Sequence, residues 1–167
     1  MMFSFIQEPT AKVEGEMVDT EIRKLEDKYK VKFPEILRKY YLEFDGARIK
    51  LQKLKIRGYS CEVSSIVSIC GDGLTFEKIV KNDRADGFIG ENFYPLASDR
   101  GGDIYYWDAE SERVYLMLAD DIENPFLISS SVAKFLSCCI KKSETMRCPV
   151  RFVPIYSMSW NNSLAQV

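Results

Sequence analysis

Residues 94–117 read YPLASDRGGDIYYWDAESERVYLM, and the fold turns on whether DRGGD is a ligand loop or a turn. Sheet-favouring residues follow it: Ile104, Tyr105, Tyr106 and Trp107, then Val114 and Tyr115 beyond Ala109-Glu110-Ser111-Glu112. This pattern predicts two strands, 103–108 and 113–118, joined as a hairpin. Gly101 and Gly102 then serve a turn, because glycine enters positive φ at little steric cost.

Two ligand-loop readings fail on spacing. In a twelve-residue calcium frame starting at Asp99, Asp103, Tyr105 and Glu110 fall at positions 5, 7 and 12. The third position, however, is Gly101, and the sixth, where glycine makes the sharp turn, is Ile104. A phosphate cradle leads from its glycines into a helix; these lead into a strand, between two aspartates. A carboxylate pair at Asp99 and Asp103 has no further members of a mechanism around it.

Composition narrows the chemistry. The chain of 167 residues suits one domain, and 46% hydrophobic with 29% charged residues is ordinary for a globular protein. It has no histidine, which removes Ser-His-Asp and Cys-His machinery and every His-ligated metal. Cys61, Cys70, Cys138, Cys139 and Cys148 are odd in number and lack Cys-x-x-Cys spacing, so free thiols are expected, with no metal and no cofactor. The opening MMFSFIQEPTAKVEGE has no basic flank or long apolar centre, and no run is long enough for a membrane helix. A cytoplasmic location is the expectation.

Charge is segregated. Residues 20–60 hold twelve Lys/Arg against six Asp/Glu, whereas residues 99–123 hold eight Asp/Glu against Arg100 and Arg113. Such asymmetry bears on partners and encounter rates rather than on fold. A sequence pI near 5.4 argues against direct nucleic-acid binding by the Lys/Arg-rich stretch 48–57.

Working outward, residues 1–17 read as an irregular lead-in with a short strand or turn around 3–6. A helix capped at Asp19 or Thr20 carries Ile22, Leu25 and Tyr29 on one face, with Val18 a turn earlier. Pro34 opens a second helix, with Leu37, Tyr40, Tyr41 and Phe44 at i, i+3, i+4, i+7 and Asp45-Gly46 at its end. Ile49/Leu51 and Leu54/Ile56 alternate out of phase, which calls for a bulge or tight turn near Gln52-Lys53. Val63, Ile66, Val67 and Ile69 make an extended segment, and Thr75 caps a short helix with Phe76, Ile79 and Val80 inward. A short strand at 126–128 precedes a helix capped by the serines at 129–131, with Val132, Phe135, Leu136 and Cys139 inward. The fold class is α+β: a single domain with a curved, largely antiparallel β-sheet and helices on one face.

Three motifs in this order resemble the SUKH superfamily. TEIRKLEDKYKVKFPEILRKYYLEFDG is similar to its opening, with Leu25-Glu26, Phe33-Pro34, Tyr40-Tyr41 and Asp45-Gly46 in the matching places. FYPLASDRGGDIYYWDAESERVYLM resembles its strand, acidic glycine turn, aromatic strand and Val-Tyr strand, and SSSVAKFLSCC its closing helix. The family's usual Asn-Gly is Asp45-Gly46 here, and residues 47–85 and the tail carry no matching signature. The chain is thus read as a lead-in 1–17, a SUKH-like domain 18–144 and an extension 145–167, whose apolar and aromatic residues predict that it packs on the domain.

The resemblance implies a non-catalytic module, an immunity protein that binds and blocks a cognate toxin, a nuclease for instance. The alternatives are a regulatory scaffold like the yeast cell-wall synthesis regulator, or a carboxylate-based enzyme. The expected partner is a protein, with no nucleic acid and no membrane involved. The candidate surface is the acidic run: Asp99, Asp103, Asp108, Glu110, Glu112, Asp120, Asp121 and Glu123, with Trp107 and the Tyr105/Tyr106 pair as aromatic anchors.

Overall fold

Hydrophobic period decides the first elements. A computed structural model of the chain describes residues 6–8, 15–49, 52–56, 59–71 and 73–140. Helix α1 (Gly15–Tyr29) buries Val18, Ile22 and Leu25, and α2 (Glu35–Phe44) buries Leu37, Tyr40 and Tyr41. The second helix follows Pro34 as expected. The first starts earlier than Asp19. Thr20 lies within it, its hydroxyl donating back to the Glu16 carbonyl at 2.8 Å. Asp19 does not cap; its carboxylate takes Arg23 at 2.8 Å and Arg38 at 2.5 Å.

A buried carboxylate sets the turn between these helices. Lys30 is left-handed (φ 54°), and the Val31 N–H reaches back to the Glu26 carbonyl at 3.1 Å. The Glu26 side chain, 6% exposed, accepts the Phe33 N–H at 3.0 Å and Arg38 at 3.1 Å, with Lys32 at 3.4 Å. Phe33 is thereby directed into the core, with its ring centroid 5.2 Å from Phe76, 5.9 Å from Trp107 and 6.1 Å from Tyr41.

Asp45 does the same after α2. Gly46 takes φ 71°, and Asp45, buried, receives the Ile69 N–H on one oxygen at 2.7 Å. Its other oxygen takes the Cys70 N–H at 2.8 Å and the Ser68 hydroxyl at 3.1 Å. Three donors fill two oxygens. An asparagine would turn an N–H₂ toward one of them, which is a physical reason for aspartate at this place.

The out-of-phase pairs mark a change of partner rather than a bulge. β2 (Arg48–Ile49) pairs with β1 (Ile6–Glu8), whereas β3 (Gln52–Ile56) pairs with β4 (Tyr59–Val63). The main sheet is antiparallel throughout, in sequence order β5 (Ser65–Ile66), β6 (Phe93–Ser98), β7 (Ile104–Asp108), β8 (Val114–Leu118) and β9 (Asp121–Ser129). The short strand expected at 126–128 is the end of the nine-residue β9. Its Pro125 hid it from sequence, yet proline is tolerated in a strand at the end of a sheet.

Helix α3 (Phe76–Ala85) buries Phe76, Ile79 and Val80. Helix α4 (Val132–Ile140) buries Val132, Phe135, Leu136 and Cys139, with the Ser131 hydroxyl accepting the Lys134 N–H at 3.2 Å as its cap. The two contact the same sheet face: Phe76 stacks on Tyr94 (5.8 Å) and Phe135 packs on Tyr105 (5.3 Å). Arg84 lies over the rings of Tyr29 and Tyr94, at 5.1 and 4.9 Å, and ties α3 to α1 and β6. Among the described residues no helix is long and apolar enough to cross a membrane. Cys148 and the extension 145–167 lie outside them, as does most of the lead-in.

The Glu26 arrangement gives a test. Burial opposes its ionisation most, but the Phe33 N–H and Arg38 outweigh that and hold its carboxyl below the usual range. Its contribution is therefore present above the unfolded glutamate pKa of about 4.3 and lost as pH falls through the lower folded value. Glu26→Ala should cost about 3 kcal/mol by leaving Arg38 and the Phe33 N–H short of an acceptor. Urea denaturation should show that loss at pH 7, and a shallower decline in stability below about pH 4.5 for Glu26→Gln than for wild type.

Candidate functional site

The DRGGD run is a turn, and its acids build it. The Asp99 N–H donates to the Asp103 carbonyl at 3.0 Å, and the Asp103 N–H donates to Asp99 Oδ1 at 2.9 Å. Gly102 takes φ 97° to close the loop. Asp103 Oδ1 in turn accepts the Ala119 N–H at 2.8 Å, joining the β6–β7 loop to the β8–β9 turn. Beside them stand the exposed Asp120, Asp121 and Glu123, with Asn124 Nδ2 donating to Asp121 Oδ1 at 2.8 Å.

The other acids lie elsewhere. In the β7–β8 hairpin the Asp108 N–H donates to the Arg113 carbonyl at 2.9 Å, and the Glu112 N–H to the Asp108 carbonyl at 2.8 Å. Glu112 adopts φ 55° there. Asp108, 7% exposed, accepts the Glu110 N–H at 3.0 Å and the Ser111 hydroxyl at 2.5 Å. Glu110 Oε1 accepts from Asn92 Nδ2 at 2.8 Å.

The sequence-predicted surface is thus not one patch. Each five-residue strand carries the chain roughly 16 Å along the sheet, so consecutive turns fall at opposite ends. Asp99, Asp103, Asp120, Asp121 and Glu123 share one end; Asp108, Glu110 and Glu112 share the other. That separation exceeds the screening length of about 8 Å in physiological salt, so the two ends act separately on a partner. Trp107 is 0% exposed, and Tyr105 and Tyr106 are buried too, with Asp83 accepting the Tyr106 hydroxyl. These aromatics are core residues, not anchors for a partner. Asp108 is likewise committed to its own hairpin.

Charge pairing separates the two halves of the sequence. On the basic half, Arg23, Lys24, Lys28, Lys32, Arg38, Lys39 and Lys53 each have a carboxylate within ion-pair range. Among the described residues, none of those pairs engages Asp99, Asp103, Asp120, Asp121 or Glu123. Seven of the basic residues are thus paired within or beside their own half, and among the described residues none of the ion pairs reaches the acidic end. Sequence alone shows the counts but not this pairing, because Arg38 finds Asp19 and Glu26 only across two helices. Among the described residues no group of His, Cys, Asp and Glu is placed to hold a metal ion.

Residues 18–138 match the SMI1 / KNR4 family (SUKH-1). The match covers most of the chain, and the chain belongs to that family. No curated protein matches it. The clamping carboxylates Glu26 and Asp45 and the two turns just described all lie inside the matched span.

The half-buried Cys61 on β4 reports on the first end. Burial raises its pKa, and so do the nearby carboxylates of Asp99 and Asp103. Burial pushes Cys70 up to about 11 and Cys139 up to about 12. Iodoacetamide at pH 8 should therefore label Cys61, Cys70 and Cys139 far more slowly in the native protein than in the unfolded chain. Asp99→Asn/Asp103→Asn should speed labelling of Cys61 and leave Cys139 unchanged, as peptide mass spectrometry would show.

Proposed function

We propose that this member of the SMI1 / KNR4 family is a non-catalytic protein-binding module, and that it neutralises a cognate toxin domain by occupying a basic surface on it. The observation that carries the reading is the acidic end of the sheet, which none of the ion pairs among the described residues engages. Asp120 is exposed on the β8–β9 turn, which Asp103 holds through the Ala119 N–H, and Asp121 and Glu123 are exposed at the start of β9. An exposed negative surface suits a partner that grips phosphates, such as a nuclease, because its cleft must be positive. The absence of histidine from the sequence is consistent with recognition rather than turnover.

The physical expectation is fast, salt-sensitive encounter. Exposed charge at one end raises the association rate at low ionic strength and loses that effect as the Debye length shrinks. Affinity then rests on whatever apolar contacts the partner makes around the turn.

Pull-down from the native cells with this chain as bait, followed by mass spectrometry, would identify the partner. A single retained protein carrying a basic domain is the expected result; retention of an acidic partner or of nucleic acid would overturn the reading. With the partner in hand, Asp120→Lys/Asp121→Lys should weaken binding at least about tenfold, chiefly through the association rate. The far-UV circular dichroism should stay unchanged, because both residues are exposed. Equal affinity for the double variant would remove this end from the interface.

A further inference from the structure

The chain leaves α3 through a glycine turn that displays the residue after it. Gly87, at φ 72°, donates its N–H to the Arg84 carbonyl at 3.2 Å, and the Phe88 N–H reaches the Asp83 carbonyl at 2.7 Å. At a helix end of this kind the residue after the glycine commonly packs on an apolar side chain of the last helical turn. Here that turn offers Asn82 and Asp83, and the Asp83 carboxylate accepts the Tyr106 hydroxyl. Phe88 accordingly stands 44% exposed, while Ile89 beside it is 6% exposed. Among the described residues the large apolar side chains that stand exposed are Met17, Leu74 and Phe88, and Phe88 is the aromatic one.

The loop that carries Phe88 is held along its length. Arg84 Nη2 donates to the Glu91 carbonyl at 2.5 Å, and the Phe93 N–H donates to the Gly90 carbonyl at 3.2 Å. The Asn92 carbonyl accepts the Ala109 N–H at 2.8 Å, and Asn92 Nδ2 donates to Glu110 Oε1 at 2.8 Å. These bonds fasten the loop to the β7–β8 hairpin, the second acidic end. Asp86 and Glu91 on the loop are exposed, as are Glu110 and Glu112 on the hairpin, where Arg113 is the exposed cation. An aromatic side chain on backbone already ordered loses little entropy when a partner covers it.

We propose that Phe88, together with Asp86, Glu91, Glu110 and Glu112, forms a second docking surface. Its occupant is a Lys/Arg-containing segment of a protein partner that lays an apolar side chain against the Phe88 ring. The charge balance selects a basic segment, and the ring supplies the apolar contact that charge alone lacks. A scattered exposed apolar residue is ordinary; Phe88 differs because its position at a helix end is one that commonly packs. The inference stands apart from the toxin reading. It uses none of Asp120, Asp121 and Glu123.

Amide chemical shifts of the full chain, titrated with two synthetic peptides of equal charge, test it. The peptides are Lys-Lys-Lys-Phe-Lys-Lys-Lys and Lys-Lys-Lys-Ser-Lys-Lys-Lys. The phenylalanine peptide should shift residues 86–92 and 109–113 saturably, with a Kd roughly threefold or more below that of the serine peptide. Equal Kd values, absent shifts at 86–92, or shifts as large at residues 119–124 would overturn the proposal. Phe88→Ser should abolish the difference between the peptides at unchanged Tm, because the side chain is exposed. Leu74→Ser, at the other end of α3, should preserve it. A difference that survives Phe88→Ser would overturn the role of the ring. Glu91→Gln/Glu112→Gln should weaken both peptides alike, and unchanged binding there would overturn the choice of a basic occupant.

Discussion

The carboxylate of Glu26, almost out of water, is the constraint on which the helical half depends. It holds the Phe33 N–H and the Arg38 guanidinium at once, so it fixes the backbone where α1 hands over to α2 and locks the two helices together. The consequence reaches the sheet, because Phe33 is the side chain that this backbone delivers against Trp107, Phe76 and Tyr41. Burying a charge is expensive unless it is paired and fully hydrogen-bonded. Here the ligands come from a main-chain amide and an arginine that itself holds Asp19. Asp45 repeats the device one helix later, tying the end of α2 to the loop at 68–70. Two buried acids thus set the geometry of a fold that short-range propensity leaves open.

Much of this was legible in the sequence, for a physical reason that differs from element to element. The inward faces of α2, α3 and α4 follow from period alone, since Leu37/Tyr40/Tyr41, Phe76/Ile79/Val80 and Phe135/Leu136/Cys139 can sit on one side only as helices. The strands β7 and β8 follow from aromatic and β-branched runs around a polar turn. The start of α1 was not legible, because Asp19 looks like a cap and is in fact an ion-pair partner. Neither was the length of β9, where Pro125 and two acids disguise a strand that, among the described residues, has no ladder on its far side. Leu25-Glu26 and Asp45-Gly46 stood out as motifs, yet their role as acceptors for distant amides is a tertiary fact.

The candidate surface shows a further limit of reading along a chain. Eight acids within one short stretch suggest a single patch. An antiparallel meander sends successive turns to opposite ends, and two of the acids, Asp99 and Asp103, spend part of their hydrogen-bonding capacity on the turn they occupy. Trp107 and its tyrosine neighbours were attractive as anchors for the same reason that they make a good core: large area and little entropy to lose. Burial, not residue type, decides between the two. What remains at the surface is a smaller set centred on Asp120, Asp121 and Glu123, and among the described residues none of the ion pairs engages it.

The connectivity of the main sheet also carries a statement about how the chain assembles. From Phe93 to Ser129 every strand pairs with its immediate successor through a short turn, so each closure fixes only a few residues and costs little loop entropy. The contact between Phe33 and Trp107, by contrast, closes most of the domain in one step. The meander is the low-contact-order part of the molecule and the helical pair the high-contact-order part. Kinetic difficulty is concentrated where the two meet, in the docking of a single phenylalanine whose position Glu26 has already arranged.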